Sequence, residues 1–153
     1  MNLIERLRKE HTELKGMLDE LSHLTDGERK SHDYIASFQR IIAHESSEGA
    51  VLYRPLKGEP RLDMVVEQVC DEHEAIKHVI DEMKEISPDN MIWGDRMVTL
   101  IAMMEGHIRN EEAIVFPMAI DVLGEERLKS MDEDYRSMEE ELRRPPVRAL
   151  HRF

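Results

Sequence analysis

Two pairs of side chains in this sequence repeat one chemical pattern. His44 and Glu48 stand four residues apart, and so do His107 and Glu111. On an α-helix that spacing stacks an imidazole and a carboxylate on one face, about one turn apart. Two such pairs directed at a shared interior would provide donor atoms for a metal ion.

The spacing of apolar residues indicates the elements that position these pairs. Leucines from Leu3 to Leu21 recur at helical intervals, and similar patterns follow each of three breaks in the chain. Glycine, proline and capping residues form the breaks, so each break marks a short turn between helices. The predicted helices are A from Asn2 to about Leu24, B from between Glu28 and Ser31 to Lys57, C from about Arg61 to Ile86, and D from about Asp89 to Ala119, with Ser87 as the cap of D.

Long helices joined by short turns predict an all-α, up-down-up-down four-helix bundle, since short connections make neighbouring helices antiparallel. The bundle is predicted over residues 1–120. Residues 121–153 are predicted to be a C-terminal helical extension and tail packed on the same domain. One or two short helices over 125–144 should lie on the outside, and the tail after Pro145 should be loose. Pro117 is expected to kink or end helix D.

The composition restricts the classes of function. The 153 residues include 33 Asp and Glu against 21 Lys and Arg, a formal net charge of −12. This excess of negative charge argues against nucleic acid as a partner, because such binding depends on neutralising phosphates. No apolar run approaches the roughly 18 to 20 residues that span a bilayer, and the charged N-terminus lacks the apolar core of a signal peptide. We therefore expect a cytoplasmic protein without a membrane partner, and the single cysteine, Cys70, agrees with a reducing compartment.

Two further histidines, His11 and His73, join the pairs at one level of the predicted bundle. Counted from the intervening turns at about 1.5 Å per residue, His11, His44 and His73 lie at similar heights. His107 lies within about two turns of that level. Apolar residues flank these histidines on the same helix faces. Buried imidazoles and carboxylates without partners are costly, and a metal centre would satisfy them all.

Four imidazoles and two carboxylates suit two first-row transition ions with bridging glutamates. Neutral imidazole binds iron, zinc, copper and nickel, while bridging carboxylates and open positions favour non-haem iron. Ferritin-like di-iron bundles use Glu-x-x-His at three-residue spacing, and that spacing is absent at the positions required here. The pattern therefore favours a histidine-rich di-iron bundle.

The sequence resembles the hemerythrin family, in particular its HHE cation-binding domains, over about residues 1–120. The resemblance depends on four segments taken together. They are Glu10-His11-Thr12-Glu13-Leu14, His44 to Glu48 leading to Leu52-Tyr53-Arg54-Pro55, Glu72-His73-Glu74, and His107 to Glu112 leading to Phe116-Pro117.

The resemblance implies two non-haem iron ions joined by carboxylates and by an oxo or hydroxo bridge. It assigns His11 and His44 to one iron, and His73 and His107 to the other. Glu48 and Glu111 are the implied bridging ligands, and Glu112, five residues after His107, is a reserve ligand.

One departure from the oxygen-carrying hemerythrins lies in helix C. Those proteins have a second histidine four residues after the helix C ligand, where this sequence has Lys77. The iron held by His73 and His107 is therefore expected to keep an open position for dioxygen, nitric oxide or peroxide. Lys77 is expected to reach solvent, with donation to a bound anion as the alternative. Cys70, one turn before His73, is expected to be an inert packing residue, with an effect on the metal as the alternative.

Residues next to the implied ligands are expected to support them rather than to bind metal. Glu45 follows His44 directly and therefore points about 100° away from it on a helix. Glu74 has the same relation to His73. Both glutamates are expected at the surface or in hydrogen bonds to ligands. His78 is expected at the surface, and no chemistry is assigned to His23, His32 or His151.

Two classes of function fit this site. The sequence does not identify a catalytic residue for either class. We favour a protein that binds a small diatomic ligand, dioxygen or nitric oxide, for sensing, delivery or iron handling. The alternative is a di-iron enzyme that reduces peroxide or nitric oxide, or a donor of iron in iron–sulfur cluster repair. A metal-free helical interaction module is a third, weaker interpretation.

Overall fold

The structure is a computed structural model that describes residues 1–144, without the side chains of Lys30 and Ser31, so the tail predicted over 145–153 lies outside the described residues. Within that range every regular element is helical and no strand is present, so the chain is all-α as predicted. No helix among the described residues is both long and apolar enough to cross a membrane. The elements are α1 (Leu3–Ser22), α2 (Asp26–Ser31), α3 (Tyr34–Glu48), a first π-turn (Gly49–Tyr53), α4 (Arg54–Leu56), α5 (Asp63–Lys84), α6 (Met91–Asn110), a second π-turn (Glu111–Val115), α7 (Phe116–Leu123) and α8 (Glu125–Arg143).

Side-chain caps divide predicted helix B into two helices. Thr25 and Glu28 form a capping box at the start of α2, in which each side chain accepts the other residue's backbone N–H. A second cap follows, because the Asp33 side chain accepts the backbone N–H of Ile35. The prediction of one continuous helix is therefore wrong, since α3 begins afresh at Tyr34.

The start of α6 also differs from the prediction. Asn90 is the cap, and its side chain accepts the backbone N–H of Ile92. Ser87 instead accepts the backbone N–H of Asp89 within the preceding turn. Helix α6 therefore begins at Met91, whereas α1 and α5 agree with the predicted bounds to within two residues at each end.

Two prolines account for the π-turns. Pro55 and Pro117 each lie just after a π-turn, and a proline has no N–H with which to continue the regular helical pattern. In each case the residue before the proline donates its N–H to the carbonyl five residues earlier. The two bonds are Arg54 N–H to Gly49 C=O and Phe116 N–H to Glu111 C=O. The wider turns keep the chain helical through both prolines, so Pro117 does not end the helix.

The buried apolar residues form two clusters separated by a polar layer. Along α1, Leu7 belongs to the first cluster and Leu14 to the second. His11 lies between these leucines and is also buried. The same order holds on α5, where Val69 lies in the first cluster, Ile76 in the second and His73 between them. The predicted level of histidines is thus a layer between two apolar cores.

The C-terminal helix is longer and more deeply packed than predicted. α8 is one helix of 19 residues rather than one or two short helices on the outside. It packs against α1 and α3. Leu128, Met131 and Tyr135 of α8 are buried in the first apolar cluster, so this helix is part of the core.

Candidate metal centre

Histidine side chains from four helices converge in the polar layer. His11 comes from α1, His44 from α3, His73 from α5 and His107 from α6. The ring centroids of His11 and His44 are 5.1 Å apart. The Nε2 atoms of His73 and His107 are 3.0 Å apart. The four side chains thus form two pairs, with the same partners that the sequence resemblance assigns to separate ions.

Glu48 lies between the two histidine pairs and is fully buried. Its Oε1 is 3.1 Å from Nε2 of His73 and 4.0 Å from Nε2 of His107. Its Oε2 is 3.5 Å from Nε2 of His44 and 3.8 Å from Nε2 of His11. A carboxylate that presents one oxygen to each pair has the arrangement of a bridging ligand.

Glu111 also reaches both pairs, but with a single oxygen. Its Oε1 is 2.9 Å from Nε2 of His107 and 3.6 Å from Nε2 of His11. Its Oε2 accepts a hydrogen bond from the Tyr53 hydroxyl at 2.5 Å. Tyr53 belongs to the first π-turn and Glu111 to the second. Both π-turns therefore deliver a side chain to the site, a frequent use of this distortion.

Glu45 lies inside the cluster rather than at the surface. It is 5% exposed, its Oε2 contacts Nε2 of His73, and the same oxygen is 3.4 Å from Nε2 of His107. The face of α3 that carries Glu45 therefore meets the second histidine pair, while the face that carries His44 meets the first. The spacing from Glu45 to Glu48, three residues, was the available signal, because residues three apart share a helix face.

Three carboxylates hold the outward nitrogens of three histidines. The pairs, each 2.8 Å apart, are Nδ1 of His11 with Glu112, Nδ1 of His44 with Glu10, and Nδ1 of His107 with Glu72. An Nδ1–H donated to a carboxylate fixes the ring orientation and leaves Nε2 directed inward. Glu112 therefore supports His11 from outside the cluster instead of replacing Glu111. Glu10 and Glu72 each precede an implied ligand, and sequence spacing does not show that they hold histidines on other helices.

Helix α8 extends this support around His44. The Tyr135 hydroxyl donates a hydrogen bond to Glu10 at 2.5 Å and lies 3.1 Å from Nδ1 of His44. It also lies 3.4 Å from Oε2 of Glu139. Burial and the neighbouring Glu10 raise the pKa of Glu139 to about 7. Tyr135 and Glu139 were not singled out in the sequence because they lie outside the histidine-bearing helices.

Burial and nearby carboxylates act in opposite directions on the pKa values of the second histidine pair. Burial lowers the pKa of His73, but Glu45 and Glu48 outweigh it and raise the pKa to about 10. Burial also lowers the pKa of His107, and Glu111 and Glu45 raise it to about 12. Burial and the charge of Glu48 raise the pKa of Glu111 to about 8. A cation that binds this cluster at neutral pH must therefore displace protons.

The donor atoms of the cluster are arranged as ligands of metal ions rather than as hydrogen-bond partners of one another. Several buried side-chain atoms of the cluster have no hydrogen-bond partner among the described residues. They are Nε2 of His11, Nε2 of His44, Oε1 of Glu45 and Oε2 of Glu48. Ligands about 2.1 Å from an ion lie about 3.0 to 3.4 Å apart at octahedral and tetrahedral angles, close to the separations found here.

Among the described residues, three groups of side chains have ligand atoms within 4.8 Å of one another. One of them is Glu10, His44 and Glu139, in which Glu10 holds the outward nitrogen of His44. The two groups inside the polar layer are His11, His44 and Glu48, and Glu45, Glu48, His73 and His107. Glu48 belongs to both groups. The cluster is therefore compatible with two adjacent ions that share this carboxylate.

The sequence model of the hemerythrin HHE cation-binding domain matches residues 2–119. The chain belongs to this family. The matched part of the HHE domain contains the four histidines and the glutamates of the cluster, whereas α8 lies beyond it.

A curated relative is a protein named DNA nickase from Nostoc sp. strain PCC 7120. It is 24% identical over 140 residues, which cover 90% of this chain and 39% of the relative. The chain thus spans about two fifths of the length of that protein. No solved structure matches the chain.

A cavity of about 360 Å³ opens beside the second histidine pair of this HHE domain. The buried Glu45 and the partly exposed His73 line one part of it, and Arg54, Cys70 and Lys77 line others. His73 is the most exposed of the four histidines, with 13% of its side chain accessible. Lys77 is exposed, as predicted, and Cys70 is half-buried. The second pair is therefore the one that a small molecule can approach from this cavity.

The remaining histidines lie away from the cluster. His23, His32 and His78 are exposed. His151 lies outside the described residues.

Proposed function

We propose that this chain is a non-haem di-iron protein that binds a small diatomic ligand, dioxygen or nitric oxide, for sensing, delivery or iron handling. The observation that carries the proposal is Glu48, whose two oxygens face two different histidine pairs. A carboxylate in that position suits two ions better than one. Membership of the HHE family supports cation binding, and imidazole combined with carboxylate favours iron.

The proposed ligands follow from the two donor groups. His11 and His44 hold one iron, His73, His107 and Glu45 hold the other, and Glu48 and Glu111 bridge them. We infer that the helices that carry the histidines, α1, α3, α5 and α6, form an up-down-up-down bundle around the pair. Bound iron supplies a coordination position for a diatomic molecule.

The surrounding residues fix the orientation of the proposed ligands. Glu10, Glu72 and Glu112 orient three imidazoles, and Tyr53 orients Glu111. Rigid support of this kind sets ligand geometry and affects metal affinity. Apolar clusters close the layer on both sides, which favours capture of a ligand over exchange with solvent.

Metal analysis of anaerobically loaded protein tests the proposal. We expect two irons per chain and an optical spectrum that changes when dioxygen or nitric oxide is added. His44→Ala should lower the iron content, whereas His78→Ala, which changes an exposed histidine, should not. A wild-type chain that binds no iron, or a His44→Ala chain that still binds two, would contradict the proposed site.

Catalytic reduction of peroxide or nitric oxide, or donation of iron, is the second candidate function. The cavity beside Glu45 and His73 favours it, because turnover requires a path for entry and exit. Peroxide consumption with an external reductant separates the two candidates. One reaction per di-iron site indicates a binding protein, and many turnovers indicate an enzyme.

The relative named DNA nickase suggests a further comparison. A net charge of −12 disfavours contact with a phosphate backbone, so strand cleavage is not proposed. Iron-loaded protein incubated with supercoiled plasmid should leave the plasmid supercoiled. Nicking that is lost in His44→Ala would reverse this conclusion.

A further inference from the structure

We propose that the cavity beside Glu45 and His73 is an anion-binding entrance to the metal cluster. Small inorganic monoanions collect there between Lys77 and Arg54 and pass to the second histidine pair. The destination rests on the proposed di-iron function, whereas the capture of anions in the cavity does not.

Two cations give the cavity its positive side. Lys77 projects from α5 and Arg54 from α4, so they reach the cavity from different elements. Both are exposed, and neither forms an ion pair with a described residue. In a chain with a net charge of −12, two cations that form no ion pair with a described residue make the local potential less negative and so favour anions here over the rest of the surface.

Two carboxylates also line the cavity, and they differ in how strongly they oppose anion binding. Glu45 is 5% exposed and its Oε2 contacts His73, so its carboxylate is directed at the cluster and little of it is accessible from the cavity. Glu74 is exposed at the rim. Glu74 therefore opposes the attraction, and its removal should strengthen anion binding.

The structure of the cluster favours entry at this corner. His11, His44 and His107 each have a carboxylate on the outward nitrogen. No described carboxylate holds Nδ1 of His73, and Oε1 of Glu45 lacks a hydrogen-bond partner among the described residues. The cavity has a volume of about 360 Å³. This is roughly ten times the volume that one water molecule occupies in the liquid, about 30 Å³. A hydrated monoanion therefore fits.

A second groove provides an internal comparison. It lies between α1 and α6 and has a volume of about 690 Å³. Lys15 and Arg109 line it together with three carboxylates, those of Asp19, Glu105 and Glu112. None of these residues belongs to either donor group. Cys70 does not line this groove. Lys15→Gln therefore removes the same charge as Lys77→Gln at a place away from Cys70.

Cys70 allows the cavity potential to be measured without metal. It is the one cysteine of the chain and lines the cavity, so a thiol reagent reports on this place. We would compare its alkylation rates with iodoacetate, which is anionic, and iodoacetamide, which is neutral. Nearby cations also change the thiolate fraction, but this affects both reagents equally and cancels in the ratio.

The expected ratio of iodoacetate to iodoacetamide rates is higher in the folded protein than in the denatured chain. Lys77→Gln and Arg54→Gln should each lower it about two- to five-fold, the range for one unit charge acting over a few ångströms of hydrated space. Glu74→Gln should raise it, and Lys15→Gln should leave it unchanged. A ratio equal to that of the denatured chain and unmoved by the cavity variants would overturn the proposal.

Azide binding to the iron-loaded protein tests the route to the cluster. Alkylation of Cys70 with iodoacetamide should slow azide association at least several-fold, while a Cys70→Ala chain given the same treatment should bind azide at the untreated rate. Unchanged association after alkylation would refute the entrance. A raised alkylation ratio in a chain that takes up no iron would support the anion site and contradict the proposed function. Normal iron uptake in a chain whose alkylation ratio equals that of the denatured chain would support the proposed function and contradict the anion site.

Discussion

Glu45 gives the second histidine pair a carboxylate that the first pair lacks. Its contact with His73 and its distance of 3.4 Å from His107 place it on the side that faces the cavity. The donor group that contains both His11 and His44 includes one carboxylate, Glu48, whereas the group that contains His73 and His107 includes Glu45 and Glu48. The two proposed ions therefore have different ligands, and a change at Glu45 should affect one of them selectively.

Glu45→Gln is predicted to lower the iron content from two ions per chain to about one. An amide is a weaker ligand than a carboxylate for iron, and the His11 and His44 group keeps all its donors. Iron measured per chain after loading and desalting gives the result. Glu74→Gln is the matched control, since Glu74 is exposed and should leave both ions in place. Two retained irons in Glu45→Gln would contradict the role of this residue.

The pKa values of the cluster predict an unusual pH dependence for the metal-free chain. His73 and His107 have folded pKa values of about 10 and 12, and Glu111 of about 8. All three values are raised above those of the unfolded chain, so the stability that they contribute is present at low pH and is lost as pH rises toward the folded values. The metal-free protein should therefore be less stable at pH 9 than at pH 7.

Denaturant titrations of the metal-free protein at pH 7 and pH 9 check this prediction. Metal affinity should change in the opposite direction, because an ion displaces protons from His73 and His107 and protons compete less at higher pH. Calorimetry of metal binding in buffers of different ionisation enthalpy measures the released protons. Equal stability at both pH values, or no proton release, would contradict the assignment.

Sequence spacing predicts those members of the cluster that share one face of a single helix. Histidine and glutamate four residues apart indicated the pairs that contain His44 and His107, and the helix pattern indicated their common level. Glu45 was predicted at the surface or in hydrogen bonds to ligands, and not as a donor within the cluster. Helix α3 has neighbours on two sides and buries two faces, whereas spacing from one histidine indicates only one face. The supports of the imidazoles were missed for a related reason, since Glu10 and Glu72 act on other helices.

At the scale of elements, the predicted helix bounds differ from the structure at helix caps and near prolines. Asp33 and Asn90 begin helices at the ends of the polar stretches 26–33 and 87–90, where no apolar pattern marks a boundary. The π-turns before Pro55 and Pro117 keep helices intact that a proline alone would be expected to end. Such outcomes depend on which local hydrogen bonds form, and apolar periodicity does not report them.

Helix α8 contacts the polar layer through Tyr135, although it lies beyond the matched family domain. Tyr135→Phe is predicted to destabilise the protein by about 1 to 3 kcal/mol, because Glu10 loses a buried hydrogen bond. It should also change the optical or magnetic spectrum of the loaded site, since Glu10 orients His44. Thermal unfolding and spectroscopy of the iron-loaded variant measure the two effects.

Tyr34→Phe provides the control for this prediction. The Tyr34 hydroxyl is buried and has no hydrogen-bond partner among the described residues, so its removal should cost little stability. Tyr34 also lies in the second apolar cluster, away from the metal layer. Spectral changes of equal size in both variants would show that Tyr135 acts only through general packing.

At the scale of the whole molecule, the fold places a charged layer between two apolar cores. Each core alone would stabilise the helices, but the layer buries Glu45, Glu48 and Glu111 together with the histidines. Buried ionised groups are costly unless opposite charges and hydrogen bonds compensate them. Protons on His73 and His107 compensate part of this charge in the metal-free chain, and two divalent ions would compensate it more completely.

Metal binding is therefore predicted to stabilise the whole domain and not only the site. A free metal concentration about 1,000 times the dissociation constant adds about 4 kcal/mol to the free energy of unfolding. For a domain of this size that corresponds to a rise in Tm of roughly 8 to 16 °C. Thermal unfolding with iron, and again after chelation, measures the shift. Glu48→Gln should lose most of it, because this residue belongs to both donor groups, whereas the exposed Glu74→Gln should keep it. A Glu48→Gln chain with the full shift would mean that the metal stabilises the fold without the bridge between the two histidine pairs.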